Sequence, residues 1–172
     1  GVLTHLGTAH MENFPDRQAL IREKLKLFRH CDRVYGCLDP DPDLEAVLRE
    51  GSYPFVLTGW SRSGQDAVLL IRKEVHTPGG VDVDATLSGR EVHFELPFLD
   101  DGTIEDCYLA LSVLTELAPE RLEDLSFTRR LEPVSMRLET LEGEHGMTII
   151  NDTYNADLDS LSIALSALRR RQ

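Results

Sequence analysis

The strongest constraint on the fold is the alternation of short apolar runs with helical patterns over the first sixty residues. Val2-Leu3 reads as an apolar strand. Pro15-Asp16 opens a helix with proline early and an acidic residue in the first turn, the ordinary start signal. That helix is predicted to run to about Phe28-Arg29, with Leu20, Ile21, Leu25 and Phe28 as its buried stripe. Arg33–Leu38 reads as a buried strand, Asp43–Arg49 as a short helix stopped by Gly51, and Pro54–Thr58 as a further strand. The order β-α-β-α-β is that of a parallel sheet with crossover helices. In such sheets the loops after the carboxyl ends of strands hold the chemistry.

The pattern changes from about 66 to 98. Ala67–Ile71 is apolar, and Val81, Val83, Ala85 and Leu87 alternate with polar residues, as do Val92, Phe94 and Leu96. Ser88-Gly89 between those runs predicts a hairpin, so this subregion reads as a small antiparallel meander. Helical patterning returns with Ile104, Cys107, Tyr108, Leu111 and Leu114, then in a shorter helix over Pro119–Leu125. Leu138–Leu141 and Met147–Ile150 read as strands, and Asp157 as the cap of a last helix bearing Leu161, Ala164, Leu165 and Leu168. The predicted fold class is α/β: a Rossmann-like, mostly parallel sheet flanked by helices, with a small antiparallel β lobe.

With 172 residues, 41% of them hydrophobic, the chain suffices for one domain, or one with a small lobe. Thirty acidic side chains against 18 basic ones give a net charge of −12. Such a surface repels nucleic acid and anionic membrane, so neither is expected as a partner. Arg169-Arg170-Arg171 reads as a cationic end to a helix. Cysteines 31, 37 and 107 form no C-x-x-C pair, which points to reduced thiols and a cytoplasmic setting. No signal peptide and no apolar run near 18 residues is present. The chain opens without an initiator Met and inside a strand, which gives the expectation that it is part of a longer protein.

Three places carry candidate chemistry. His10 and Glu12 follow the small residues Gly7-Thr8-Ala9 just past a strand. An imidazole can hold a metal or its water and a carboxylate can orient it; the alternative is a loop histidine with no role. Lys24 lies beside the apolar stripe, at i+4 from Leu20 and i−4 from Phe28, whereas Lys26 points away. A lysine so placed either snorkels to water or is kept there because its amine is perturbed or modified. Asn151-Asp152-Thr153-Tyr154-Asn155 crowds amides, a carboxylate, a hydroxyl and a phenol onto a strand-to-helix turn. Amides offer a donor and an acceptor, which suits a purine edge; the alternative is a polar turn with a cap. Gly59–Gly64 has the G-x-x-x-x-G spacing of a phosphate loop, but Gln65 replaces the lysine and the segment reads as a turn. Asp39–Asp43 contains two prolines and lacks the following glycine and glutamate of a calcium loop.

Taken together, Thr8-Ala9-His10-Met11-Glu12-Asn13-Phe14, Glu23-Lys24-Leu25-Lys26-Leu27-Phe28, Pro133-Val134-Ser135-Met136-Arg137-Leu138-Glu139 and Asn151–Ser160 resemble, in order and spacing, the Mur ligases. The likeness is to the type that adds D-alanyl-D-alanine to UDP-MurNAc-tripeptide. It implies a P-loop-type central ATPase domain, here partial and spanning 1–172. It also implies ATP-dependent amide ligation through an acyl phosphate in peptidoglycan precursor synthesis. By the same likeness His10 matches the histidine of a magnesium site, and Lys24 the lysine whose carbamate binds that Mg2+. Asn155 matches the amide on adenine, with Asn151 and Tyr154 lining the nucleotide pocket. UDP-MurNAc-peptide and D-Ala-D-Ala are the implied partners. The Glu23–Phe28 and Asp157–Leu161 variants resemble the subgroup fused to an alanine racemase domain. The family's Gly-x-x-Gly-Lys-Thr/Ser loop, an upstream magnesium-binding glutamate and the carboxyl-terminal domain are absent from this sequence, and Asp106 stands where many relatives have Asn. Rival readings are another Mur-type or folylpolyglutamate-synthetase-like ligase, or a non-catalytic docking domain of the same fold.

Overall fold

Helix starts are set by side-chain caps close in sequence. In the computed structural model, which describes residues 1–7, 11–64, 66–132, 139–151, 161–162, 165 and 168–169, the side chain of Asp16 accepts from the Ala19 N–H at 2.7 Å and opens α1, Arg17–Leu25. A 3-10 turn over Lys26–Phe28 prolongs it. Asp41 accepts from the Asp43 and Leu44 N–H groups and opens α2, Pro42–Glu50, with proline in the first turn and Gly51 as its cap. Each cap satisfies amides that the helix itself leaves unpaired.

Five strands form one sheet in sequential order: β1 (Arg33–Cys37), β2 (Val56–Ser61), β3 (Leu69–Thr77), β4 (Gly80–Leu87) and β5 (Arg90–Leu96). β1 pairs in parallel with β2, and β2 with β3. Gly1–Leu3 adds a parallel bridge at the outer side of β1, where Leu3 N–H donates to the Tyr35 carbonyl at 2.8 Å and Tyr35 N–H to the Gly1 carbonyl at 2.9 Å. Two-residue links, Pro78-Gly79 and Ser88-Gly89, fold β3, β4 and β5 into the expected meander, a connection open only to antiparallel neighbours. Ser88 and Gly89 both have positive φ, 49° and 82°, the type I′ geometry that follows strand twist. In β4, Val81, Val83, Ala85 and Leu87 are all buried, as the alternation predicts. Helix α3, Asp101–Leu117, follows, and a separate antiparallel pair joins β6 (Glu139–Glu142) to β7 (Thr148–Asn151).

The chain divides into two compact units. One comprises Gly1–Arg72, Ala85–Val92 and Tyr108–Glu123, the other Lys73–Asp84, His93–Cys107 and Asp124–Gln172. In the first, Ile21, Leu25 and Phe28 of the α1 stripe pack with Val34, Leu44, Val47 and Phe55. Full burial of such a side chain contributes about 1.5–3 kcal/mol, so this cluster fixes α1 and α2 on the parallel strands. In the second, Phe94, Leu96, Phe98 and Ile104 are buried. Among the described residues no helix is long and apolar enough to cross a membrane.

Three local expectations need correction. Pro54 does not open a strand: β2 begins at Val56 and runs to Ser61, because proline has no N–H for the ladder. The first half of the supposed turn at Gly59 is therefore strand. Pro119–Leu125 is not a helix; Pro119–Leu122 makes a 3-10 turn, and a second 3-10 segment covers Ser126–Arg130. Asn151 ends strand β7, opposite Glu139, rather than opening the loop. Asp157 and Ala164 lie outside the described residues, while Leu161, Ser162, Leu165, Leu168 and Arg169 are helical.

Gly59 shows why glycine occupies that strand. It faces Gly36 across the parallel ladder with φ +142°, and a Cβ there would stand 2.0 Å from the Gly36 carbonyl oxygen. Gly59→Ala is expected to destabilise the chain by at least about 2 kcal/mol through strain and clash, read as a shift of the urea midpoint. A variant with unchanged stability contradicts the close approach.

Candidate functional site

Parallel pairing sends the carboxyl ends of Gly1–Leu3, β1 and β2 to one edge of the sheet. Three loops therefore leave from the same edge: the segment from Thr4 toward α1, Leu38–Asp41, and Arg62 onward. This is the edge at which α/β proteins bind ligands.

Arg17, the first residue of α1, ties the first loop to the second. Its Nη1 and Nη2 donate to the two carboxylate oxygens of Asp41 at 2.7 and 2.6 Å, Nη1 also to Asp43 at 3.1 Å, and Nη2 to the Leu6 carbonyl at 3.2 Å. The forked contact gives direction as well as charge. Arg17 holds the Asp41 carboxyl below its ordinary range, against burial, with the Leu44 and Asp43 amides adding to the effect. The sequence carries a signal for this that composition misses. A cation in the first turn opposes the helix dipole, so Arg17 in that place calls for an anionic partner.

Asp39 ties the second loop to the third. Its Oδ1 accepts from Ser61 Oγ at 2.8 Å, Arg62 N–H at 2.8 Å and Ser63 N–H at 3.0 Å. Two consecutive amides and a hydroxyl around one oxygen form an anion nest. The phosphate-loop spacing at Gly59–Gly64 thus has a structural cause: Gly59 allows strand approach and the turn donors hold an internal carboxylate. Arg62 also lies over Trp60 and Tyr108, 4.9 and 5.6 Å from the ring centroids.

Lys24 is half-buried and Lys26 exposed, as the stripe predicts. Lys24 Nζ reaches back to the first loop and donates to the His5 carbonyl at 3.4 Å, at the long end of the hydrogen-bond range. Glu12 is exposed and accepts from Asn13 Nδ2 at 3.4 Å. Asn151 is half-buried at the end of β7. His10, Tyr154 and Asn155 lie outside the described residues, as do Pro133–Leu138. Among the described residues no group of three or more His, Cys, Asp or Glu side chains gathers as metal ligands. None of the cysteines 31, 37 and 107 forms a disulfide. Burial, then the charges of Asp106 and Asp100, pushes the Cys107 thiol up to about 12, which suppresses its thiolate.

The Asp39 nest makes a pH-dependent contribution. Burial pushes its carboxyl up, but the hydrogen bonds from Ser61, Arg62 and Ser63 outweigh burial, and the net direction is down. A carboxyl whose folded pKa is depressed stabilises fully above the ordinary aspartate value of about 3.9 and loses that stabilisation as pH falls through the folded value. The stability deficit of Asp39→Asn is expected to be larger near pH 6 than near pH 3, by urea unfolding. Equal deficits at both pH values contradict an ionised carboxylate in the nest.

No family model matches the chain. It is 28% identical to the UDP-N-acetylmuramoyl-tripeptide–D-alanyl-D-alanine ligase of Mycobacterium leprae and 24% identical to that of Bacillus subtilis, over 98% and 95% of this chain. It spans 35% of the length of each. Among solved structures, MurF from Acinetobacter baumannii matches with a TM-score of 0.77 at 16% identity, over 99% of this chain and 37% of that one. MurF ligase from Thermotoga maritima in complex with ADP matches with a TM-score of 0.73 at 21% identity, over 98% and 38%. The apo form of L. casei FPGS shares the fold at a TM-score of 0.65 and 16% identity, over 98% and 41%. In sequence and in fold, the chain is similar to Mur ligases of the MurF type, and it spans about a third of the length of the relatives it matches.

Proposed function

We propose that this chain is part of the central, ATP-binding domain of a cytoplasmic ligase of peptidoglycan precursor synthesis, one that joins D-Ala-D-Ala to UDP-MurNAc-tripeptide. In this reading the tripeptide carboxylate attacks the γ-phosphorus of ATP and ADP leaves. The dipeptide amine then attacks the acyl carbon of the resulting acyl phosphate, and phosphate leaves with the loss of an amine proton. An alanine racemase domain in the same polypeptide belongs to the proposal. The observation that carries it is Lys24: a half-buried lysine that reaches the loop leaving the first strand, within a chain similar to D-alanyl-D-alanine ligases over nearly its whole length.

As an ammonium, Lys24 repels a cation. Reaction of its neutral amine with CO2, with loss of one proton, turns it into an anionic carbamate with two oxygens. Magnesium takes hard oxygen ligands, so the donor set fits the ion only in the carbamate form, with His10 supporting the site. Bound there, Mg2+ would offset charge on phosphate oxygens. Asn155, with Asn151 and Tyr154, is proposed to face the adenine end of ATP. The likeness to L. casei FPGS rests on fold alone; the two ligase readings differ in which acceptor amine is used.

The test is made in the longer ligase that contains this chain, with ADP release measured on UDP-MurNAc-tripeptide and D-Ala-D-Ala. Lys24→Ala is expected to lower kcat by more than about 100-fold, the scale of losing electrostatic stabilisation of a developing charge. Mass spectrometry in CO2-buffered solution should show the carbamate on Lys24. Full activity of the Lys24→Ala ligase defeats the assignment. The 172-residue chain alone, which contains no Gly-x-x-Gly-Lys-Thr/Ser loop, should show no ATP turnover; turnover by it contradicts the proposal.

A further inference from the structure

Two cations on one face of α1 meet two consecutive carbonyls of the first loop. Arg17 and Lys24 are seven residues apart, about 10.5 Å along the axis at 1.5 Å per residue. Two turns put both on the same side of the helix. Arg17 donates to the Leu6 carbonyl and Lys24 to the His5 carbonyl. Their anchoring is unequal. The Arg17 fork is held by Asp41 on both of its terminal nitrogens and by Asp43 on one. Lys24 has a flexible four-carbon stem and, among the described residues, a long contact to the backbone. Asp41 is in turn fixed by the first amides of α2, so the chain of restraint starts at α2, passes through Arg17, and ends at the loop.

We infer that Arg17 is a positioning residue for Lys24: clamped by Asp41 and Asp43, it pins the Leu6 peptide and thereby fixes the adjoining His5 carbonyl that receives the Lys24 amine. Its functional weight rests on the role proposed above for Lys24; its geometry does not. Losing the clamp frees the Leu6–Gly7 peptide to rotate and with it releases the neighbouring His5 carbonyl, and Lys24 then leaves the loop edge for water as Lys26 already does. A guanidinium suits this task and an ammonium does not, because only the planar fork engages a carboxylate at two points and still donates to a carbonyl.

The test compares Arg17→Lys, Arg17→Gln and Asp41→Asn in the longer ligase. Asn caps helices as well as Asp, so Asp41→Asn removes the forked ion pair, leaves the α2 cap, and leaves Arg17 only the Asp43 carboxylate on Nη1. The first readout is the acetylation rate of Lys24 relative to Lys26, by peptide mass spectrometry after brief exposure to acetic anhydride. A general loosening of α1 accelerates both lysines; loss of positioning changes the ratio. In the unmodified ligase Lys24 should react at least about 5-fold more slowly than Lys26, as a half-shielded amine does beside an exposed one. In the variants the two rates should come within about twofold of each other. The second readout is the fraction of Lys24 carrying a carbamate under 13CO2, expected to fall in all three variants. If Arg17→Gln fails to fold, Asp41→Asn decides. A folded Asp41→Asn ligase with an unchanged Lys24 to Lys26 ratio and an unchanged carbamate fraction overturns the inference, whatever Lys24→Ala does. A changed ratio together with full activity of Lys24→Ala supports the positioning and defeats the proposed function instead.

Discussion

Two carboxylates two residues apart hold the loop edge of this sheet together. Parallel strands carry no direct link between the loops at their carboxyl ends, since each crossover returns to the opposite edge. Something beyond the ladder must join those loops if they are to present side chains in fixed places. Asp41 reaches the first loop through Arg17, and Asp39 reaches the third through Ser61, Arg62 and Ser63. Both sit on the short segment between β1 and α2. Proline at positions 40 and 42 fixes φ on either side of Asp41, so the two carboxylates keep their separate directions. Neither is fully buried, and for each the hydrogen bonds from its partners outweigh the desolvation it still bears.

The position of Lys24 follows from a different force. Leu20, Ile21, Leu25 and Phe28 are buried at 4%, 0%, 1% and 8% exposure, and that stripe fixes the rotation of α1. Lys24, flanking the stripe, lies across the apolar shoulder and ends at a backbone carbonyl of the first loop. Lys26 has no such shoulder and pairs with Glu23 at the surface. Hydrophobic burial therefore chooses which lysine faces the loop, and hydrogen bonding at the loop completes the placement.

The Gly59–Gly64 segment shows how one spacing serves two different physical needs. A phosphate loop uses glycine so that amides can surround a bound anion. Here the first glycine belongs to β2 and admits the neighbouring strand at Gly36, while the amides beyond it surround Asp39. The anion is the chain's own.

Much of the fold was legible because it is set by short-range rules. Period 3.6 marks α1, period 2 marks β4, Ser88-Gly89 marks the hairpin, and each predicted element type is read within a few residues of itself. The boundary of β2 and the 3-10 geometry at Pro119–Leu122 were not legible, because ladder pairing and local crowding decide them. The candidate site divides in the same way. Lys24 stands out in the sequence as a cation beside an apolar stripe, and the ligase reading rests on four ordered segments that a linear chain displays in full. The contact of Arg17 with Asp41, 24 residues away, exists only once α1 and α2 are packed together, and that of Asp39 with Ser63, also 24 residues away, only once β1 and β2 are paired. Periodicity carries no information about which charge meets which across that distance. By itself the sequence determined the elements, the family likeness and the identity of the lysine; the tertiary structure alone decided which carboxylates bind the loops, because that choice depends on strand register.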